Sequence, residues 1–295
     1  MTVPTIFMTG FSSPTEHSVA RRAMDERASV RTVAPNIGPA FQHSHTNQLC
    51  MKSADSLDVG ELRRAIGSAS VVFFTHSRFE VSAEIRAGIL AKALKGSNVQ
   101  TIVHLCWMGA LEDPRCSVMA DSAKARTLLA DAASKYICLE RGLSADILYK
   151  YTGGQIAENG RFFLPFGDAL QTPIAASDID RTAAHSLIHH SEISAGTYQL
   201  TGPESNTLDG FADTLSETYG KNFVYGPIQH DTWRTFLLKT HKASNIVTEH
   251  LSCVGQQAAH NIFASESQDI ERLTGQAPMS LADYVGAHRP HFGIA

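Results

Sequence analysis

Residues 5–17 read TIFMTGFSSPTEH. Thr5 to Thr9 is short and rich in branched and apolar side chains, the pattern of a buried strand. Gly10 follows at once, where a tight turn favours a residue without a Cβ. What comes after it reads as a helix. A strand, a one-glycine turn and a helix at the head of the chain pose one question: does the same alternation continue downstream?

Through the first half it does. Ser29 to Val33, Val71 to Phe74, Thr101 to Leu105 and Tyr136 to Leu139 are further strand-like runs, and Leu49 to Met51 is a weaker one. Between them, Ser56 to Ile66, Ser82 to Leu94 and Asp121 to Ala133 carry apolar residues at helical spacing. This alternation predicts a Rossmann-like, doubly wound α/β fold: a parallel sheet covered on both faces, with ligands outside the carboxyl ends of its strands. The second half has another rhythm. Gly153, Gly154 and Gly160 loosen the chain ahead of Phe162-Phe-Leu-Pro-Phe-Gly167. A helix from about Ser177 to His189, a strand Tyr198 to Leu200, a helix Leu208 to Tyr219, a strand Phe223 to Tyr225 and three more helical patterns follow. The expected division is a core domain over residues 1–152 and a smaller, mostly helical substrate lobe over 153–295, with about 172–200 returning to the core sheet.

Composition narrows the partners. The chain has 295 residues, 43% of them hydrophobic, with a net charge of -4. That suits a well-packed fold and offers no basic surface for a nucleic-acid backbone. No run of about 18 apolar residues predicts a membrane-spanning helix, and the first residues lack a signal-peptide pattern, so a cytoplasmic location is expected. The five cysteines, at positions 50, 106, 116, 138 and 253, show no paired spacing and read as reduced, mostly buried thiols. The histidines form no HExxH pattern, and His43 and His45 have no further ligand types beside them, so no metal is expected. The oligomeric state is open, a homodimer included.

Five segments in order resemble the NmrA-like group of atypical short-chain dehydrogenases: Thr5 to Gly10, Asn98 to Ala110, Thr172 to Ala184, Thr197 to Glu204 with the helix after it, and Asp269 to Gly275. The resemblance implies the fold already read from periodicity. It also implies a nicotinamide-dependent reductase of small molecules or quinones, a redox-sensing regulator, or an enzyme of specialised metabolism. In this group the turn reads GxxGxxG, and the matching positions here are Gly10, Ser13 and Glu16. Serine obstructs the approach of a pyrophosphate, and Glu16 is bulky and repels it at the helix N-terminus. Pro14 removes an N–H. After the second strand, Val33-Ala-Pro-Asn36 carries neither an acid for a ribose nor an arginine for a 2′-phosphate, and Arg31 reads as a strand-face or edge charge.

The group's usual Ser, Tyr and Lys are not matched either. Cys106 and Trp107 stand where the serine falls, and Ala120 precedes Lys124 by four residues where the tyrosine falls. What remains for proton transfer is His76 after the fourth strand, the pair Asp121 and Lys124, and Tyr151. Trp107 and Tyr149 are expected to line a substrate cleft. Glu140 stands where relatives carry an arginine, and His104 reads as a core histidine. Together these positions predict an enzyme of specialised metabolism doing acid–base work, such as cyclisation, isomerisation, elimination or coupling. Its substrate would be a small, aromatic or polyketide-like molecule, handled without a nicotinamide. The alternatives are an NAD(P)H-dependent reductase of a small molecule or quinone, using NADPH or NADH, and a non-catalytic regulator that binds a partner protein.

Overall fold

The structure is a computed structural model, and it describes residues 3–34, 48–53, 55–75, 81–109, 116–152, 155–240 and 242–294. The chain divides into two compact units. The first comprises residues 1–113, 119–140 and 179–198; the second comprises 114–118, 141–178 and 199–295. Residue 152 lies inside the second unit, and residues 179–198 belong to the first.

In chain order the first half runs β1 (Thr5–Met8), α1 (Pro14–Asp25), β2 (Ser29–Ala34), β3 (Leu49–Ser53), α2 (Val59–Ile66), β4 (Val71–Thr75), α3 (Ala83–Leu94), β5 (Thr101–Trp107), α4 (Ser117–Ala130) and β6 (Lys135–Arg141). Helix α7 (Ala176–Ile188) and β8 (Gly196–Leu200) complete the sheet layer. Among the described residues the sheet has seven strands in the order β3-β2-β1-β4-β5-β6-β8. The ladders joining β3, β2, β1, β4 and β5 are parallel, with Thr5 opposite Ser29, Ile6 opposite Val71 and Val71 opposite Thr101. The weakest strand candidate, Leu49 to Met51, is a five-residue edge strand.

The reason the strands read as continuous apolar runs is visible in burial. Every residue of β4 and β5 is buried, because both faces of the sheet are covered. On one face Phe7, Val72, Phe74 and Ile102 pack against Leu62 and Ile66 of α2, Leu90 and Leu94 of α3 and Leu129 of α4. Strand order reverses between β1 and β4, since the chain builds outward through β2 and β3 on one side and then through β5 and β6 on the other. Gly10 lies just past β1 at that reversal, the place where open α/β sheets receive ligands.

The second unit carries α5 (Ile147–Lys150), α6 (Gln155–Asn159), β7 (Arg161–Leu164), α8 (Leu208–Tyr219), β9 (Val224–Pro227), α9 (His230–Lys239), α10 (Asn245–Ala258), α11 (Asp269–Thr274), α12 (Leu281–Ala287) and a 3-10 turn, Arg289–Phe292. Strands β7 and β9 form a separate parallel pair with Phe162 opposite Tyr225. Phe162, Phe211, Tyr225 and Trp233 fill its core. One expectation is corrected here. Cys116 and Cys253, 137 residues apart, form a disulfide rather than two free thiols, with Cα atoms 5.3 Å apart. Spacing in the sequence is blind to a pair so distant.

Candidate functional site

The turn after β1 is closed by its own side chains. Glu16 has no solvent exposure. One carboxylate oxygen accepts the N–H groups of Ser12 at 2.8 Å and Ser13 at 2.9 Å, while Ser13 Oγ accepts the Glu16 N–H at 3.2 Å. This is a reciprocal capping box, and Ser13 is the N-cap of α1. The expected repulsion assumed that Glu16 points outward. Instead the acid folds back over Gly10, and a Cβ on Gly10 would lie 2.5 Å from Glu16 Oε1. Gly10 therefore makes room for a carboxylate as well as a bend. The Ser13-x-x-Glu16 spacing carries this signal in the sequence. A nicotinamide dinucleotide fits the position of the turn, a helix N-terminus at the sheet's switch point. Two of the local N–H donors are already engaged.

Arg31, on β2, donates from Nε to the Ala65 carbonyl at 2.9 Å, at the C-terminal end of α2, where a cation suits the helix dipole. Of the proposed proton-transfer residues, His76 lies outside the described residues, as do His43 and His45. Asp121 and Lys124 do not pair with each other. Asp121 accepts Ser82 Oγ at 2.5 Å and the N–H groups of Ala83 at 2.6 Å and Glu84 at 2.9 Å, so α4 caps the start of α3. Lys124 pairs with Glu84 at 3.2 Å. Both residues join two helices. Asp121→Ala is expected to cost about 1–2 kcal/mol, read as a lower denaturant midpoint, because it strands three donors.

Trp107 ends β5 and is 6% exposed. His104 is fully buried, as expected, and its Nδ1 lies 2.6 Å from the Tyr136 hydroxyl. Glu140 is bound by Arg126, which also reaches Thr197 Oγ1 at 2.7 Å.

In the second unit Tyr149 stacks on His291, with ring centres 4.2 Å apart and planes 2° from parallel, and meets the edge of Phe292. Its ring is engaged by the C-terminal turn. Tyr151 is the C-cap of α5. Beneath Tyr149, Asp146 accepts Tyr284 Oη at 2.7 Å and pairs with Lys150. Burial alone would raise the Asp146 carboxyl; the hydrogen bonds from Lys150 and Tyr284 outweigh it and hold the pKa below its ordinary value. The resulting stabilisation is present above the unfolded carboxylate's range, about pH 4, and is lost as pH falls through the folded value. Asp146→Asn is expected to flatten that acid limb in urea midpoints measured across pH.

The same unit holds a cavity of about 170 Å³ lined by Thr152, Phe163, Ile228, Thr232 and Phe236. None of the residues expected to line a cleft is in that lining. The signal that could have found it is the aromatic run at Phe162-Phe163, which reads equally as core.

No protein-family model matches the chain. Over 237 residues it is 21% identical to an NAD(P)H azoreductase of Xenophilus azovorans, covering 79% of this chain and 80% of that protein. The fold matches an NADPH-dependent quinone oxidoreductase of Escherichia coli, solved with NADPH, at a TM-score of 0.82 and 19% identity over 96% of this chain and 99% of that one. It matches NmrA, a negative transcriptional regulator solved with NADP, at a TM-score of 0.77 and 12% identity over 98% and 96% of the two chains. These findings overturn the expectation of a cleft without a nicotinamide, since the matching proteins bind or use one. They also favour the reductase alternative over acid–base chemistry in specialised metabolism. No helix among the described residues is long and apolar enough to cross a membrane. In fold, the chain resembles NmrA-like, atypical short-chain dehydrogenases/reductases.

Proposed function

We propose that this protein is an NAD(P)H-dependent reductase of small aromatic acceptors of the quinone or azo type. The observation that carries the reading is the β1–Gly10–α1 turn at the strand-order reversal, where a dinucleotide's diphosphate meets a helix N-terminus. When bound, the nicotinamide supplies a hydride. Gly10 makes the bend and α1 directs its first turn at the diphosphate, while Glu16 competes with it for the Ser12 and Ser13 amides. Residues 113–134 contain no tyrosine to protonate a carbonyl oxygen. That suits acceptors whose reduced products take protons from water. The names of the azoreductase and quinone oxidoreductase support the same substrate class.

The test is oxidation of NADPH and NADH with a benzoquinone and with an azo dye. Acceptor-dependent loss of nicotinamide absorbance is expected, with KM between about 1 μM and 1 mM. No heat of binding at millimolar cofactor and no turnover would overturn the reading.

A further inference from the structure

The face of the sheet covered by α4 carries a row of polar side chains in a layer that is otherwise apolar. Residues 104 and 106 share one face of β5, and 136, 138 and 140 share one face of β6, because side chains alternate along a strand. His104 meets Tyr136, and Cys106 Sγ lies 3.3 Å from Cys138 Sγ. Glu140 stands beside the two sulfurs. One ligand atom from each of Cys106, Cys138 and Glu140 lies within 4.8 Å of the other two. The three residues are 1%, 0% and 7% exposed.

We propose that Cys106, Cys138 and Glu140 form a binding site for one thiophilic divalent cation of the zinc class. Two geometric comparisons support a metal over a disulfide. Thiolates about 2.3 Å from a tetrahedral ion stand about 3.75 Å apart, so the sulfurs need to move by only a few tenths of an ångström. A disulfide requires about 2.05 Å, a far larger closure between neighbouring strands. The chemistry is thiolate and carboxylate, the donor set that zinc accepts with three protein ligands and one open position.

Charge supports the same assignment. With a dication bound, two thiolates and one carboxylate face the ion and the Arg126 guanidinium, and the charges sum to zero. A neutral buried site avoids the large penalty of an uncompensated interior charge, and thiols release their protons on binding. Arg126 holds Glu140 through Oε1, which leaves Oε2 for the ion. On the same face the Tyr136 hydroxyl and His104 Nδ1 lie 2.6 Å apart, polar groups of the kind that surround metal ligands. The ligands lie 32 and 2 positions apart in the chain, so no compact motif announces them.

The test is a cobalt(II) titration of the protein reduced with a phosphine, including a sample refolded from denaturant with the metal because the ligands are buried. A thiolate-to-cobalt charge-transfer band is expected, saturating at one ion per chain, bleached by zinc, and accompanied in native mass spectra by loss of two protons per ion. It should persist in Cys50→Ser and in Cys116→Ser/Cys253→Ser, and be lost in Cys106→Ser and Cys138→Ser. Absence of the band in the parent chain with its thiols titrating as free overturns the proposal, whatever the folding of the variants. So does a band that survives Cys138→Ser, or oxidation of Cys106 and Cys138 to a disulfide by a hydroperoxide without any metal uptake by the reduced pair.

Discussion

Gly10→Ala is expected to destabilise the protein by about 2 kcal/mol in the natural chain, and to be neutral or slightly stabilising in a chain that also carries Glu16→Ala. The reason is specific to this turn. The added methyl would sit 2.5 Å from Glu16 Oε1, and that carboxylate is fully buried and holds two backbone N–H groups. It can leave only by abandoning both. Gly10 is not among the glycines with positive φ, so alanine fits its backbone. Once the carboxylate is gone, the substitution lowers only the entropy of the unfolded chain, an effect of about 0.4–1 kcal/mol in favour of folding. A double-mutant cycle by urea denaturation therefore reads a coupling of about 2 kcal/mol. Additive effects would show that Gly10 serves something other than Glu16. Glu16→Ala alone is expected to cost about 1–3 kcal/mol of stability while tightening NADPH binding about tenfold, or 1.4 kcal/mol. It removes an anion from the helix N-terminus and frees two donors. Opposite signs for stability and affinity are what separate a competing carboxylate from a merely structural one.

The second large effect is expected at Gly202, where alanine should cost about 4 kcal/mol or more, at the diagnostic end of single substitutions. A Cβ there would lie 2.1 Å from the Pro173 carbonyl oxygen and 3.0 Å from its carbon. Both atoms are main chain. The Gly202 N–H meets the Thr172 carbonyl at 3.3 Å, and Gln171 and Asn206 exchange two backbone bonds of 2.8 Å beside it. No flexible tip can give way, so the strain must move two segments apart. A loss under about 1 kcal/mol in the denaturation midpoint would show that this crossing is loose. The prediction also gives physical content to two of the segments that carry the family resemblance, Thr172-Pro-Ile and Thr201-Gly-Pro: they are where one backbone crosses another without side chains between them.

Where the structure gives these side chains partners that spacing does not show, the cause is shared. Asp121 and Lys124 sit one turn apart on α4, and sequence spacing pairs them. Each instead has a better partner on α3, in Ser82, Ala83 and Glu84. Tyr149 reads as a cleft residue because it follows the sixth strand, but the C-terminal turn supplies His291 to stack on it. Glu16 reads as a charge facing a ligand because a sequence carries no side-chain direction. In each case the competing partner comes from a remote segment or from the rotamer.

By itself the sequence determined the alternation of strands and helices, the doubly wound class, the position of the Gly10 turn at its head and the burial of His104. These follow from local periodicity and from the need of continuous apolar runs to be covered on both faces. Only the tertiary structure decided that Glu16 turns inward, that Cys116 reaches Cys253, that Asp121 caps α3, and that two thiols and a carboxylate converge beneath α4. Those outcomes depend on which atoms the fold and the rotamers bring within reach of one another, and spacing along the chain carries no measure of that distance.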